Sequence, residues 1–387
     1  MKVLYVTTIA STMNFFPAHI KMLQEAGHTV ELASNFSYGE KCLKEPMQAL
    51  NCMQHHIPFS RSPFSKDNLA AYKALKQLLA ENHYDIVHTH TPNASALVRL
   101  ACRKLRKNGL RVFYTAHGFH FYSGAPRKNW LVYYPIEKIL SHWTDVLITM
   151  NQEDYQRART FRAQSVAFTH GVGVDIARFQ LDWTEEQRYE KRHALGIADD
   201  DFMILSVGEL IRRKNHETAI RAVAALKDPT VKYVICGAGE LKEQLEALTK
   251  ELGVSGQVKL LGIRRDIGEL NQAADLFLFP SFQEGLPVAL MEAMAAGKAV
   301  ACSRIRGNVD LVADGQGGLL CPPDDVEGWA RNLARLVADP ALRRQMGMWN
   351  ETAVEAFSIQ RVLAELREIY GLSHQGKEGM RTNEAKD

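Results

Sequence analysis

The chain has 387 residues, 46% of them hydrophobic and 24% charged, a size and composition that predict a folded protein of two domains and exclude collagen-like, coiled-coil and generally disordered chains. The net charge of +3 hides an asymmetry, because residues 1–180 hold 21 Lys and Arg against 12 Asp and Glu, whereas the remainder holds 26 against 32. The first half should therefore meet an anionic partner, whether a phosphate, a lipid head group or a nucleic acid.

The opening segment, MKVLYVTTIAST, predicts a first strand rather than a signal peptide, because its apolar part is short and a helix-like stretch follows at once. Strands then alternate with segments of helical period, the pattern of parallel strands joined by crossover helices. The first helix, in FFPAHIKMLQEAGH, should end at Gly27. The strands predicted in this half are KVLYVTT, TVELAS, YDIVHTH, RVFYTAHG, DVLITM and SVAFTH.

A polar segment, residues 180–201, predicts a linker with one helix. Strands resume after it as FMILSVGEL, VKYVICGAG, QVKLLGI, LFLFPS, AVACSR and GGLLCPP. A helix at 357–372, expected to pack back on the first lobe, precedes a polar tail, 373–387, that we expect to be disordered. The fold class is therefore α/β, with two Rossmann-like doubly wound lobes, 1–180 and 181–356, facing a central cleft at the carboxyl ends of their strands.

The cysteines form no C-x-x-C pair, which argues against a zinc ribbon or a redox motif and favours a reducing cytoplasm. His88 and His90 have a spacing that a metal could use, but no third ligand is apparent nearby, so local hydrogen bonds are expected instead. We interpret the acidic run at 198–201 as a hydrated part of the linker and not as a metal site. We predict no metal and no cofactor, and no run of about 18 apolar residues predicts a membrane span.

Two carboxylates separated by seven residues, Glu284 and Glu292, stand in the otherwise almost uncharged segment FPSFQEGLPVALMEAMAAGKAV. A sharp turn at Gly285 and a helix with Pro287 in its first turn, ending at Gly297, would present free N–H groups to a diphosphate. Carboxylates on both sides of it suit the hydroxyls of a nucleotide sugar. Alternatively, Glu284 is a solvated loop residue and Glu292 pairs with a nearby cation.

This segment resembles the E-x7-E signature of retaining glycosyltransferases of the GT-B fold, the group that includes many bacterial capsule and exopolysaccharide transferases. The likeness spans about residues 1–370. Other stretches agree with the family in the same order: DIVHTHTPNAS, TAHGFHF, HGVGVDIARF, SVGELIRRKNHETAIRA, CGAGELKEQL, LLGIRRDIGEL and DGQGGLLCPPDD.

The resemblance makes the first lobe the acceptor lobe and the second the nucleotide-sugar donor lobe. It implies that Glu292 binds the ribose, that Glu284 contacts the donor sugar, and that His117 is the active-site histidine, with His120 nearby. The loop that presents main chain to the donor would contain Gly285, Leu286, Pro287 and Val288.

The family usually places an arginine and, five residues later, a lysine against the diphosphate. Lys214 matches the lysine, but Glu209 replaces the arginine and reverses its charge. Arg212 or Arg213 could fill that role, or both could be solvent-facing charges at a helix start.

Gly237 and Gly239 allow close backbone approach after a strand, but the third glycine of a dinucleotide fingerprint is replaced by Lys242. Arg264 and Arg265 match the family loop whose backbone meets the base, although their side chains could be plain surface charges. The family's glycine pair after the first strand is replaced by TTIASTMNF, so Ser11 and Thr12 are its candidate substitutes.

The segment RLACRKLRKNGLR supplies basic residues, and HFYSGAPRKNWLVYYPIEK supplies aromatic and basic ones. We expect this lobe to bind an anionic membrane surface, as a peripheral enzyme on the inner face of the cytoplasmic membrane that takes a glycan or polyprenyl-diphosphate-linked acceptor; a solvated helix face is the alternative. No nucleic-acid-binding module is recognised. The residues assigned to acceptor or membrane binding are Arg103, Lys104, Arg106 and Lys107.

The resemblance implies a metal-independent retaining glycosyltransferase that moves a hexose or N-acetylhexosamine from a nucleoside diphosphate sugar, UDP by family frequency, to a lipid-linked glycan in cell-surface polysaccharide synthesis. A nucleotide-sugar 2-epimerase of the same fold and a non-catalytic nucleotide-sugar sensor are the alternatives.

Overall fold

The computed structural model describes residues 1–37 and 43–372. The chain forms two compact units, Met1–Val172 with the segment from Gln360 onward, and Gly173–Ile359. The boundary thus falls after Val172, whereas we predicted it after residue 180. Cys42 and the tail that we expected to be disordered, 373–387, lie outside the described residues.

The described residues of the first unit form a sheet of seven parallel strands. They are β1 (Lys2–Ile9), β2 (Thr29–Asn35), β3 (Met53–His56), β4 (Ile86–Thr89), β5 (Arg111–Ala116), β6 (Val146–Thr149) and β7 (Ser165–Phe168). Their order across the sheet is β3-β2-β1-β4-β5-β6-β7. β1, β4 and β6 are nearly or fully buried along their length, as expected for strands covered on both faces.

In the described part of this unit, the helices between the strands are α1 (Pro17–Glu25), α2 (Glu45–Gln48), α3 (Asp67–Glu81), α4 (Pro92–Cys102), α5 (Arg127–Leu140) and α6 (Gln152–Ala158). Short 3-10 helices lie at Ala10–Phe15, Leu105–Asn108 and Ser141–Trp143. The predicted end of α1 is confirmed, because Gly27 has φ +78° and the next N–H, that of His28, donates to the Leu23 carbonyl at 3.0 Å.

The predicted strands omit β3. Met53 exposes 61% of its surface, and the strand has no apolar run, since its other residues are Gln54, His55 and His56. β3 lies at the sheet edge and pairs only with β2. Backbone pairing at an edge needs no buried side chains, so the periodicity of the sequence does not reveal it.

The second unit contains six parallel strands, all predicted. They are β8 (Phe202–Val207), β9 (Val231–Cys236), β10 (Val258–Gly262), β11 (Leu276–Phe279), β12 (Val300–Ser303) and β13 (Gly318–Cys321), in the order β10-β9-β8-β11-β12-β13. The helices are α7 (Glu185–Ala194), α8 (His216–Leu226), α9 (Lys242–Glu251), α10 (Ile267–Ala273), α11 (Val288–Ala295), α12 (Asn308–Leu311), α13 (Val326–Ala338) and α14 (Pro340–Ala353), with 3-10 turns at Ile176–Arg178, Arg212–Lys214 and Val354–Phe357.

The segment predicted as a linker, 180–201, is an integral part of the second unit. Thr184 and Gln187 form a capping box at the start of α7. Near its end, Arg192 is 1% exposed and donates to the Asp275 carboxylate at 3.0 Å. This ion pair fixes α7 to Asp275, the residue before β11. The polar segment therefore contains a helix that packs on the second unit, and it is not a flexible linker.

The last helix, α15 (Ile359–Tyr370), returns to the first unit. The Tyr370 hydroxyl lies 2.5 Å from Nδ1 of His88, and the Glu365 carboxylate lies 2.7 Å from Nδ1 of His170 and accepts the His170 backbone N–H at 3.0 Å. The contacts of Tyr370 with His88 and of Glu365 with His170 therefore hold this helix against the first unit at two points less than two turns apart.

Candidate functional site

The loops at the carboxyl ends of β8, β9, β11 and β12 meet at one edge of the second sheet, and most of the residues predicted to bind the donor lie on them. The loops after β8 and β9 are joined by backbone hydrogen bonds, from Gly208 to the Cys236 carbonyl at 2.9 Å and from Leu210 to the Ala238 carbonyl at 3.0 Å. A Cβ on Gly237 would lie 1.8 Å from the Gly208 carbonyl oxygen. Glycine is therefore required at Gly237 for this close approach, and Gly237 can contact a ligand only through its backbone.

Glu284 holds two cations together in what we term the Glu284 cluster: Arg213, Lys214 and Glu284. Its Oε1 accepts from Arg213 Nη1 at 2.9 Å and from Lys214 Nζ at 2.8 Å. Arg213 also donates to the Gln283 carbonyl at 3.1 Å, and Lys214 lies over the Phe279 ring at 4.9 Å. The Glu284 side chain is 10% exposed, so it is a buried partner of cations and not a solvated loop residue.

Two cations against one carboxylate leave the Glu284 cluster with a net positive charge. Such an arrangement suits a diphosphate, whose oxygens can share both cations. Arg213 thus occupies the region where the sequence predicted either Arg212 or Arg213. Arg212 is exposed, whereas Arg213 is partly buried in the Glu284 cluster.

Glu209, which replaces the expected arginine, has a 69% exposed side chain. Its carboxylate lies 3.9 Å from Nη2 of Arg213, at the outer limit of an ion pair. Glu209 therefore lies beside the Glu284 cluster without neutralising it, because a loose exposed pair contributes little.

Arg306 is a functional candidate that the sequence did not single out. It follows β12, is 7% exposed, and donates to the Glu284 carbonyl from Nε at 3.2 Å and from Nη2 at 3.1 Å. A Cβ on the next residue, Gly307, would lie 2.2 Å from the Gly285 carbonyl oxygen. Arg306 and Gly307 together fix the loop that carries Glu284. The sequence feature that could have indicated this role is an Arg-Gly pair shortly after a predicted strand.

Helix α11 begins at Val288, so Pro287 is its N-cap and does not lie in the first turn as predicted, and Gly297 follows the helix end with φ +66° as predicted. The first N–H groups of an α-helix have no helical acceptor, so those of Val288 and its neighbours point toward the loop of Gly285 and Leu286. Glu292, one turn further on, is partly buried. The helix N-terminus that the sequence predicted is therefore present after the loop that carries Glu284.

The side chain predicted near the base, Arg264, is committed elsewhere. It donates to Asp266 from Nε at 2.8 Å and from Nη2 at 2.5 Å, and its guanidinium holds the pKa of that carboxyl well below its usual range. Arg265 is exposed. The Arg264 guanidinium is therefore held by a carboxylate, whereas the Arg265 side chain is open to solvent.

In the first unit, His117 follows β5 and is partly exposed, in a histidine cluster whose other members, His19, His88 and His90, are buried. Nδ1 of His90 lies 3.3 Å from Nε2 of His117, and Nε2 of His88 lies 2.7 Å from the Thr115 hydroxyl. The expected local hydrogen bonds of His88 and His90 are present. Among the residues that the structure describes, no group of three His, Cys, Asp or Glu side chains is arranged to hold a metal ion.

Burial lowers the pKa of His117 to about 4, and the nearby His19 acts in the same direction. Burial likewise lowers the pKa of His19 to about 4 and those of His88 and His90 well below their usual value. His117 is therefore a neutral imidazole near pH 7 that can donate one hydrogen bond and accept another.

These lowered pKa values predict that acid destabilises the first unit. Between the unfolded value near 6.5 and the folded value of about 4, the unfolded chain binds more protons, so the free energy of unfolding should fall as the pH falls through this window. Urea unfolding at pH 7.5, 6 and 5 measures this fall. His19→Gln should flatten it, with the exposed His142→Gln as control, and equal pH dependence in all three proteins would contradict the prediction.

In the basic segment RLACRKLRKNGLR, two arginines are paired with carboxylates and are not exposed cations. Arg106 is bound by Asp145, with Nε and Nη2 donating at 2.9 and 2.6 Å, and Arg99 is buried against Glu137. Arg106 is therefore not available to a membrane. Arg103, Lys104 and Lys107 are exposed as predicted.

The second segment, HFYSGAPRKNWLVYYPIEK, exposes aliphatic residues in place of the expected aromatic ones. Phe121 is fully buried, and Trp130 packs against it at 5.8 Å, whereas Leu131 is 77% exposed. Among the described residues, no helix is long and apolar enough to span a membrane.

Comparison with known families gives matches to both units. Residues 18–178 match the model described as Glycosyltransferase Family 4, and residues 187–351 match Glycosyl transferases group 1. The EpsD protein of Bacillus subtilis, named as a glycosyltransferase, is 38% identical over 378 residues, covering 95% of this chain and 96% of EpsD. An Escherichia coli UDP-Gal:alpha-D-GlcNAc-diphosphoundecaprenol alpha-1,3-galactosyltransferase is 29% identical over 306 residues, covering 77% of this chain and 78% of that protein.

Solved structures show the same fold at low sequence identity. Anabaena Alr3699/HepE in complex with UDP and glucose superposes with a TM-score of 0.79 at 20% identity, covering 96% of this chain and 99% of HepE. WaaG, a glycosyltransferase involved in lipopolysaccharide biosynthesis, gives a TM-score of 0.73 at 18% identity, covering 95% and 99%. The predicted architecture of two Rossmann-like parallel-sheet domains is confirmed.

Proposed function

Because this chain belongs to the glycosyl transferases group 1 family and has the GT-B fold, we propose that it is a retaining glycosyltransferase that transfers a hexose or N-acetylhexosamine from a UDP-sugar to a lipid-linked glycan. The observation that carries the proposal is the Glu284 cluster, where Arg213 and Lys214 converge on Glu284 beside the N-terminus of α11. Cations and helix N–H groups at one point suit a leaving diphosphate.

We propose that Lys214 and Arg213 neutralise the diphosphate as the bond to the sugar breaks, without a metal ion. Glu292 would accept hydrogen bonds from the ribose and Glu284 from the donor sugar, while Arg306 positions the Glu284 loop. The acceptor hydroxyl would attack from the face that the diphosphate leaves, giving its proton to a departing phosphate oxygen. Neutral His117 would bond the sugar or the acceptor.

The acceptor class is proposed from the Escherichia coli relative, whose name specifies a diphosphoundecaprenol-linked sugar. A lipid-linked acceptor lies at a membrane, so we propose peripheral attachment at the inner face of the cytoplasmic membrane. The exposed cations Arg103, Lys104 and Lys107 support this, since each basic residue near an anionic surface adds about 1 kcal/mol of attraction.

Thermal shift against UDP-, GDP- and TDP-sugars tests the donor, because a bound ligand raises the melting temperature by mass action. We expect UDP-sugars to stabilise the wild-type protein and Glu292→Ala to weaken that stabilisation, with Glu243→Ala, an exposed acid on α9, as the matched control. Stabilisation by UDP-sugar that is equal in Glu292→Ala and wild type would contradict the ribose role.

The reaction products test the chemistry. A retaining transferase releases UDP and forms a product with the anomeric configuration of the donor, which proton NMR coupling constants report. Conversion of the UDP-sugar to an epimer without release of UDP would identify an isomerase, and binding without release or conversion would identify a sensor.

A further inference from the structure

Helix α5 presents an apolar stripe to solvent. Val132 is 39%, Ile136 is 45% and Ile139 is 57% exposed, and their spacing places them on one face of the helix. The neighbouring Leu131 is 77% exposed. An exposed cluster of aliphatic side chains on one helix face marks a surface that binds something apolar.

A cavity of about 220 Å³, the α5 pocket, opens beside this stripe. Val132 and Ile136 line one side of it, and Ala96 of α4 lines another. Phe64, which is 85% exposed, lies at its rim. Gly118 and Phe119, which follow His117 in the chain, also line it, so the pocket is continuous with the end of β5 that carries the active-site candidate.

The carboxylate that lines the α5 pocket is already paired. Glu137 accepts from Arg99 at 2.8 and 3.2 Å, and the Tyr114 hydroxyl donates to the same carboxylate at 3.4 Å. The pocket wall is otherwise mainly aromatic and aliphatic. A closed ion pair leaves no charge to bind an ionic group here, so the pocket suits an apolar chain.

Cations stand at one end of the apolar stripe. Arg127 and Lys128 lie in the first turn of α5 and are exposed, and no ion pair joins either to a carboxylate within the described part of the chain. Lys128, Val132 and Ile136 follow one another at four-residue intervals, so they share a face of the helix. The helix N-terminus adds its own positive potential.

A cationic end followed by an apolar stripe and pocket fits a ligand with an anionic head and an apolar chain. We propose that the α5 pocket binds the first isoprene units of a polyprenyl-diphosphate-linked acceptor, with Arg127 and Lys128 at the diphosphate. This inference rests on the proposed function, and it adds the element of the fold that selects an acceptor by its lipid.

Binding of farnesyl diphosphate in the presence of saturating UDP tests the pocket directly. Calorimetry should show binding to the wild-type protein, about tenfold weaker binding to Ile136→Ser, and unchanged binding to Ile139→Ser, which lies on the same stripe but does not line the pocket. Phe64→Ala, at an exposed position that should not affect folding, should also weaken binding. Equal losses in Ile136→Ser and Ile139→Ser, or no loss in either pocket variant, would overturn the proposal.

Transfer assays separate this inference from the proposed function. Two synthetic acceptors with the same sugar and diphosphate, one carrying a farnesyl chain and one a methyl group, should differ in KM in the wild-type protein and much less in Phe64→Ala. Transfer to both with equal KM would overturn the α5 pocket as a chain site while supporting a glycosyltransferase. Farnesyl diphosphate binding with no transfer from any UDP-sugar would instead overturn the proposed function.

Discussion

Replacement of Lys214 by methionine should lower kcat/KM for sugar transfer by about 10² to 10³, with most of the loss in kcat, while the protein stays folded. The side chain is 13% exposed and its ammonium lies 2.8 Å from Glu284. Charge grows on the diphosphate only as the bond to the sugar breaks, so a cation in this place stabilises the transition state more than the bound donor. Methionine keeps an unbranched apolar side chain at this position, and it removes the ammonium together with its contact over the Phe279 ring.

The control is Lys250→Met, an exposed lysine in the last turn of α9, which should leave transfer unchanged. Initial rates at varied UDP-sugar concentration separate kcat from KM. Glu284 retains Arg213 at 2.9 Å in the Lys214 variant, so its carboxylate does not lose all of its partners. A change in kcat/KM of less than about threefold would remove Lys214 from the chemistry, because a loss of that size is below 1 kcal/mol.

Most strands could be predicted from the sequence because they are apolar runs buried between two helix layers. Leu276–Phe279 and Val300–Ser303 are fully buried, and each stands between polar or glycine-containing segments that mark its ends. β3 could not be predicted, because an edge strand is specified by backbone pairing with β2 and not by a pattern of buried side chains.

The candidate site was predictable where residues act within one loop. The start and end of α11 follow from Pro287 and Gly297, so the sequence predicted where this helix begins and ends. Arg306 could not be predicted, because its contact with the Glu284 carbonyl joins the loops after β11 and β12. Which of the arginines after β8 would pair with Glu284 also depended on the path of that loop.

Arg99 of α4 shows a second limit of prediction from the sequence. Arg99 lies among several basic residues in RLACRKLRKNGLR, and the sequence alone placed it on a basic surface. Its partner Glu137 is one of only two acidic residues between positions 101 and 150 and lies on another helix. A long-range ion pair leaves no local signal, so the sequence did not reveal that Arg99, unlike its exposed neighbours Arg103 and Lys104, is part of the core.

Replacement of Glu137 by leucine should destabilise the first unit by about 3 to 5 kcal/mol. Arg99 is 1% exposed, donates two hydrogen bonds to Glu137, and stacks over the Tyr114 ring at 4.3 Å. Without the carboxylate, a guanidinium stays buried with no counter-charge, and the Tyr114 hydroxyl loses its acceptor. Urea unfolding followed by circular dichroism at pH 7.5 measures the loss.

The matched control is Glu217→Leu, which breaks the exposed i,i+4 pair with Arg221 and should cost less than about 1 kcal/mol. The double variant Arg99→Met with Glu137→Leu should recover most of the stability lost in Glu137→Leu, since an apolar pair of similar volume needs no desolvation of charge. A double variant as unstable as Glu137→Leu alone would mean that packing, rather than the unpaired guanidinium, causes the loss. Recovery would show that the ion pair beneath the α5 pocket is not required for folding, so that its effect on farnesyl diphosphate binding can be measured separately.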